Sequence, residues 1–169
     1  STFLAPPAMR PQRGFTLVEL MVTLLVLGIA TSGVGLLIDS SPARDPQAAV
    51  EQLARALEKA AARAEIRGRA LALEFTVDSY RFVELDRHGE WLPVRADSQL
   101  ASRRLPEGLS WAGLRTGDSG SLASPLHRRI AFSNRPPRYQ LELRHGTSLH
   151  TLEGDISGRV RHTVSDTGG

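Results

Sequence analysis

The chain has 169 residues, 41% hydrophobic and 23% charged, enough for one ordinary domain plus one further element and too few for two full domains. Its 21 Lys and Arg, all arginine except Lys59, exceed its 18 Asp and Glu by only three, a charge balance that is no polyanion-binding signature. With no Cys, the chain holds no disulfide, thiolate metal site or Cys nucleophile.

Residues 1–14, STFLAPPAMRPQRG, hold three Pro and carry Arg10 and Arg13 with no acid to balance them, so nothing there packs. Residues 15–38, FTLVELMVTLLVLGIATSGVGLLI, are 24 in number and bear a single charge, Glu19. As a helix they extend about 36 Å, more than the roughly 30 Å of a bilayer core. Arg10 and Arg13 flank this segment on its N-terminal side, which predicts a cytoplasmic N-terminus and an extracytoplasmic remainder. A secretory signal would place small residues of A-x-A type after the apolar stretch, and Ala30-Thr31-Ser32 is a poor version of that. Glu19 sits near a helix end, where it snorkels or enjoys the field of the N-terminus. Against that stands a cost of roughly 2.5–3.5 kcal/mol for an unpaired acid inside an apolar segment, which makes it a candidate functional residue. Gly28, Gly33 and Gly35 lower helix propensity by about 1 kcal/mol each while letting neighbouring backbones approach.

The heptad Arg13-Gly14-Phe15-Thr16-Leu17-Val18-Glu19, a basic stretch ending in Gly, then an aromatic residue and a Glu five places in, resembles the type IV prepilin processing motif. The resemblance implies that a prepilin peptidase cuts between Gly14 and Phe15, that Phe15 is then N-methylated, and that the hydrophobic helix stays on the mature protein. It also implies a partner for Glu19, the N-terminal amine of a neighbouring subunit, so that assembly relieves the cost of burying the carboxylate.

Asp39-Ser40-Ser41-Pro42 breaks the apolar pattern, and Asp45-Pro46 reads as an N-cap followed by Pro at the first helical position. From there to Arg67, Val50, Leu53, Leu57, Ala60, Ala61 and Ala64 recur at spacings of three and four, and Gly68 supplies the stop. An amphipathic helix over 46–67 is the result. The period then switches to two: Leu71, Leu73, Phe75 and Val77 share one face of a strand, Asp78-Ser79 turns, and Tyr80 to Leu85 returns. Trp91 to Val94 is a short strand after the turn at residues 87–90, and Arg95 to Pro106 a polar connection. Further strands are expected around Leu109–Leu114, Arg129–Ser133, Arg138–Arg144, Leu149–Leu152 and Ile156–Val164, with Thr116 to Pro125 a flexible loop.

Helix first and antiparallel strands afterwards predict an α+β domain over residues 39–169, with a helix laid on a sheet. Arg67-Gly68-Arg69, Tyr80-Arg81-Phe82, Trp91-Leu92-Pro93, Leu105-Pro106-Glu107-Gly108 and Gly154-Asp155-Ile156-Ser157-Gly158-Arg159-Val160 resemble the H-type minor pseudopilins of type II secretion systems. That resemblance implies a pilin-like fold whose membrane and amphipathic helices form one spine, here with added kinks at Pro42 and Pro46. It implies a subunit of a periplasmic pseudopilus that exports folded proteins, anchored by one inner-membrane span. Its partners would be other pseudopilins, major and minor, the prepilin peptidase and the inner-membrane assembly platform.

Catalytic chemistry is not expected. His88, His127, His145, His150 and His162 show no converging metal-ligand spacing, and no nucleophile elbow, zinc-protease motif or phosphate loop occurs, so no cofactor and no metal are expected. His145 and His150 flank a predicted turn and either face each other across a hairpin or stand in solvent. Two other classes compete with the secretion subunit. Gly158-Arg159-Val160-Arg161 is similar to the Gly-Arg-x-Arg pattern of DNA-binding minor pilins of type IV pili; on a strand Arg159 and Arg161 share a face opposite Ile156, Val160 and Val164, from which both reach phosphates, or else they are ordinary arginines of a solvated face. The other is a single-pass membrane protein with a periplasmic ligand-binding domain, for which the heptad would be coincidence.

Overall fold

The computed structural model of the chain describes residue 14 and residues 16–25, 45–118 and 120–168. Phe15, Arg10 and Arg13, the glycines at 28, 33 and 35, and the expected kink at Pro42 lie outside the described residues. The chain divides into two compact units, Ser1–Asp39 and Ser40–Gly169. In the first, residues 17–25 form helix α1. No helix among the described residues is long and apolar enough to cross a membrane, and residues 26–38 of the expected span are not among them.

The second unit opens with helix α2, Pro46–Arg67. Its start is local chemistry: the Asp45 carboxylate accepts the N–H groups of Gln47 and Ala48 at 3.3 and 3.4 Å, and Pro46 takes the first turn, where no N–H is needed. Its end is set by Gly68 in the left-handed region, φ 61°. Val50, Leu53, Ala56, Leu57, Ala60, Ala61 and Ala64 are buried and form one stripe, the small alanines allowing close approach to the strands.

Nine strands follow: β1 Leu71–Phe75, β2 Ser79–Leu85, β3 Trp91–Pro93, β4 Arg103–Arg104, β5 Leu109–Thr116, β6 Arg129–Phe132, β7 Tyr139–His145, β8 Ser148–Gly154 and β9 Val160–Asp166. They make two antiparallel sheets. The first runs β3-β2-β1-β6, with β4 also paired to β2; the second runs β5-β7-β8-β9. Leu71, Leu73, Phe82, Ile130 and Phe132 from the first sheet and Leu114, Leu141, Leu143 and Leu152 from the second join the α2 stripe in one core. Trp111 ties the sheets together: its ring meets Phe75 edge-on at 4.9 Å, and its indole N–H donates to the Thr76 carbonyl at 2.8 Å. Burial beneath this cluster pushes the Tyr80 phenol up to about 12, against the opposing charge of Arg103. Helix α2 is clasped to the second sheet where the Glu58 carboxylate accepts the Val160 N–H at 3.0 Å.

Several expectations are corrected. The first strand stops at Phe75, because the Thr76 N–H closes the turn onto the Ser79 carbonyl and Val77 stands 76% exposed. The last strand starts at Val160, not Ile156: Asp155 accepts the Ser157 N–H at 2.8 Å and Gly158 adopts φ 83°, so residues 155–158 are a side-chain-closed turn with Ile156 in solvent. Inside the polar connection 95–106, Asp97 caps a single 3-10 turn, Ser98–Leu100, that buries Leu100 completely. Asp97 also takes ion pairs from Lys59 and Arg63 at 3.0 and 3.5 Å. Burial opposes its charge, but the Lys59 ammonium, the Gln99 N–H and the charge of Arg63 hold its carboxyl below the ordinary range. The segment Thr116 to Pro125 is pinned where Ala123 exchanges both backbone hydrogen bonds with Leu114.

Candidate functional site

Two regions carry candidate residues, and they lie in different units. In the first unit, Gly14 has no atom within 4 Å of the position a Cβ would take, and its backbone is not left-handed. Nothing inside the described chain therefore demands glycine there. Thr16 begins helix α1: its hydroxyl oxygen accepts the Glu19 N–H at 3.3 Å, and its carbonyl accepts the Leu20 N–H at 3.1 Å. This is one half of a capping box, Thr-x-x-Glu, with Glu19 at the third helical position. The spacing was readable in the sequence but is missed when Glu19 is weighed only as a charge. The Glu19 side chain is exposed, and its carbonyl accepts the Thr23 hydroxyl at 2.7 Å.

The apolar side chains of residues 17–25 are each more than half exposed, from 52% at Val22 to 77% at Leu17. Apart from Glu19 and Thr23, helix α1 carries only apolar side chains, which favours burial over exposure to water. A carboxylate on such a helix costs roughly 2.5–3.5 kcal/mol on transfer out of water unless it is paired.

In the second unit the expected face shared by Arg159 and Arg161 is not formed by a strand, since Arg159 belongs to the turn before β9. Its N–H donates to Asp155 at 3.3 Å, while Arg161, on β9, faces Glu153 at 3.7 Å. Both nevertheless border one surface groove, together with Arg115 and Arg138, which sequence reasoning did not single out. They come from the ends of three strands, β5, β7 and β9, a juxtaposition with no local signal.

His145 and His150 do not face each other: His145 stands opposite Ser148, and His150 opposite Leu143. His150 is buried and pairs with His162 of β9, ring nitrogens 3.0 Å apart and rings stacked at 5.3 Å. Burial, then the charges of His162 and His145, lower the His150 pKa, with Asp45 at the α2 N-terminus opposing. His88 lies in a turn closed by Asp86, and His127 has φ 64°. Among the described residues no three His, Asp or Glu are grouped to hold a metal ion.

The profile of the prokaryotic N-terminal methylation motif matches residues 9–35. The type II secretion system protein H of Pseudomonas aeruginosa is 34% identical over 111 residues, which cover 63% of this chain and 59% of that protein. The chain thus aligns with less than two thirds of its curated relative. Two solved structures of the minor pseudopilin EpsH from the type II secretion system of Vibrio cholerae superpose with TM-scores of 0.52 and 0.55, at 15% and 13% identity. Each covers 73% of this chain, and 98% and 95% of its own length is matched. At that identity the likeness is one of fold, and the chain has the α+β, pilin-like fold of minor pseudopilins. The resemblance read from the heptad and from the soluble segment is met in sequence and in architecture.

Proposed function

We propose that the chain is a minor pseudopilin of a type II secretion pseudopilus, a structural subunit and not an enzyme. The observation that carries the reading is the sequence of features at one helix end: a glycine that the described fold does not require, a Thr cap, and one carboxylate on an exposed helix that is otherwise apolar but for Thr23. In this reading residues 15–38 are the membrane span, with the N-terminus cytoplasmic and residues 39–169 the periplasmic domain. Prepilin peptidase cuts between Gly14 and Phe15, and Phe15 is N-methylated. Its amine on one subunit neutralises Glu19 of the next as the helix leaves lipid for the filament, beside other pseudopilins and the inner-membrane assembly platform. Export of folded proteins through the outer membrane is the function served.

Intact mass and N-terminal sequencing of the membrane-extracted protein test the first step, with a chain starting at methylated Phe15 as the expected result. Gly14→Val is expected to abolish cleavage without disturbing the fold, because a Cβ at Gly14 meets no atom within 4 Å among the described residues. Glu19→Ala is expected to be cleaved and inserted normally yet absent from sheared filaments, since the missing carboxylate is the only charge in the span. Normal cleavage of the Gly14→Val chain refutes the processing site, and loss of cleavage in Glu19→Ala transfers Glu19 from assembly to peptidase recognition. The DNA-uptake reading is the less favoured one: Arg161 is matched by Glu153, and Arg159 stands in the turn before β9 rather than beside Arg161 on one strand face.

A further inference from the structure

At one end of the second sheet, the ends of β5 and β8 and the starts of β7 and β9 enclose a groove of about 640 Å³. Grooves of roughly 300–1,000 Å³ seat small ligands or a few residues of an extended chain. Strand register builds its floor. Arg115 stands opposite Gln140, Gln140 opposite Glu153, and Glu153 opposite Arg161, so four polar side chains cross four strands in one row. Arg138 and Arg159 bring two more guanidiniums to the rim.

The charges are not equally committed. Arg138 pairs with Asp118 at 3.2 Å and Arg161 with Glu153 at 3.7 Å, both in solvent. Arg115 donates only to the neutral side-chain oxygen of Gln140, and among the described residues the Arg159 side chain has no carboxylate within 4 Å. The nearest candidate, Asp155, spends one carboxylate oxygen on the backbone and hydroxyl of Ser157 and the N–H of Arg159. Arg115 lies near the end of β5 and Arg159 just before β9, so their backbones stand three inter-strand spacings or roughly 14 Å apart across the sheet, with Arg159 displaced a further two residues, about 7 Å, along it, and neither guanidinium is in an ion pair among the described residues.

We propose that this groove receives an extended, carboxylate-bearing segment of a partner polypeptide, whose acidic side chains are held by Arg115 and Arg159 from opposite walls. An extended chain advances about 3.4 Å per residue with alternate side chains on one face, so two acids four positions apart span about 14 Å and point the same way. Acids at that spacing come within reach of the two long, flexible arginine side chains. Guanidinium forks suit carboxylates, which they bind through two parallel hydrogen bonds. Glu153 in the floor accepts backbone N–H groups, donors that a peptide has and a phosphodiester chain lacks. Asp118, Glu153 and Asp155 set three carboxylates among the arginines and disfavour a continuous run of phosphates. The inference uses no filament contact, so its failure leaves the pseudopilin reading untouched.

The test is an NMR titration of the full chain in non-ionic micelles with the peptide Ser-Glu-Ser-Ser-Ser-Glu-Ser, its Gln counterpart and a 20-base-pair duplex. The expected result is saturable shifts of the Arg115 and Arg159 side-chain resonances with the Glu peptide, weakened at least tenfold in Arg115→Gln/Arg159→Gln. Arg81→Gln, which removes a guanidinium paired with Glu74 on the other sheet, should leave binding unchanged. Arg159→Gln alone, in an exposed turn, supplies the reading if the double variant does not fold. Absence of saturation, equal binding of the Gln peptide, or binding indifferent to both arginines overturns the proposal. Tighter, Arg159-dependent binding of the duplex overturns it in favour of nucleic acid.

Discussion

Gly154 closes the second sheet over Tyr139, its direct cross-strand partner, and a methyl group there tests that packing. A Cβ on residue 154 would lie 2.3 Å from Cε1 and Cζ of the Tyr139 ring and 2.8 Å from its hydroxyl oxygen, well inside contact distance. The ring must retreat by more than an ångström to restore van der Waals contact, on the order of 3.4–4 Å between carbons. It has nowhere to go: Tyr139 is buried and meets Phe132 edge-on at 6.2 Å. Overpacking of this kind costs about 1–3 kcal/mol, offset by the ~0.5–1 kcal/mol that Ala gains over Gly within a strand. Gly154→Ala should therefore destabilise by about 1–2 kcal/mol, lowering the melting temperature by roughly 4–8 °C for a domain of this size. Gly113→Ala is the control. Its Cβ would meet Leu122 at 2.7 Å, but Leu122 is 46% exposed and swings away, so the change should stay within about 0.5 kcal/mol. Thermal unfolding followed by near-ultraviolet circular dichroism measures both. In a Tyr139→Leu background the cost of Gly154→Ala should largely vanish, because the two residues are coupled. A Gly154→Ala protein that melts with the parent, or one that loses as much beside Leu as beside Tyr, refutes this account.

Stability should fall as pH drops from about 7.5, because the unfolded chain takes up the His150 proton near pH 6.5 while the folded chain, with its lowered pKa, does not. The loss accumulates until pH passes below the folded-state value and is then constant. Urea midpoints across this range measure it, and His150→Leu should flatten the slope; a parent protein equally stable at every pH removes the buried histidine from the account. Asp45→Ala, which strips the acceptor from the Gln47 and Ala48 N–H groups, should cost about 1 kcal/mol, and Asp45→Asn should restore most of it. Chemical denaturation decides that case, and an Asn variant no better than Ala would show that the charge, not the cap, matters.

What the sequence discloses depends on how far apart the cooperating residues stand. Helix α2 was legible to the residue because its limits are set by neighbours: Asp45 and Pro46 at the start, Gly68 at the end. The hairpin of β1 and β2 followed from alternation over a few positions. The turn at residues 155–158 was read as strand because Ile156 supplied a hydrophobic signal, whereas the Asp155 side chain closing on Ser157 decides the backbone. Leu100 was missed for the opposite reason: one buried leucine on a single 3-10 turn has no period to reveal it.

The same distance rule separates the two functional regions. Gly14, Thr16 and Glu19 lie within six positions, so the processing and assembly reading rests on residues that a short motif holds together, and the Thr16 cap adds backbone chemistry to that motif. The His150–His162 pair depends on the β8–β9 register, which no local pattern announces: Leu152 faces His162, and His150 reaches it diagonally. The groove is more distant still, since Arg115 and Arg161 meet in one row only after three strand pairings have each fixed their register. A slip of one residue in any of them would turn that strand's contribution to the row onto the opposite face and the buried leucines beside it into solvent. Burial of Leu114, Leu141 and Leu152 on the inner face thus fixes the charged row on the outer one. The core sets the geometry of the groove, and Tyr139 belongs to both.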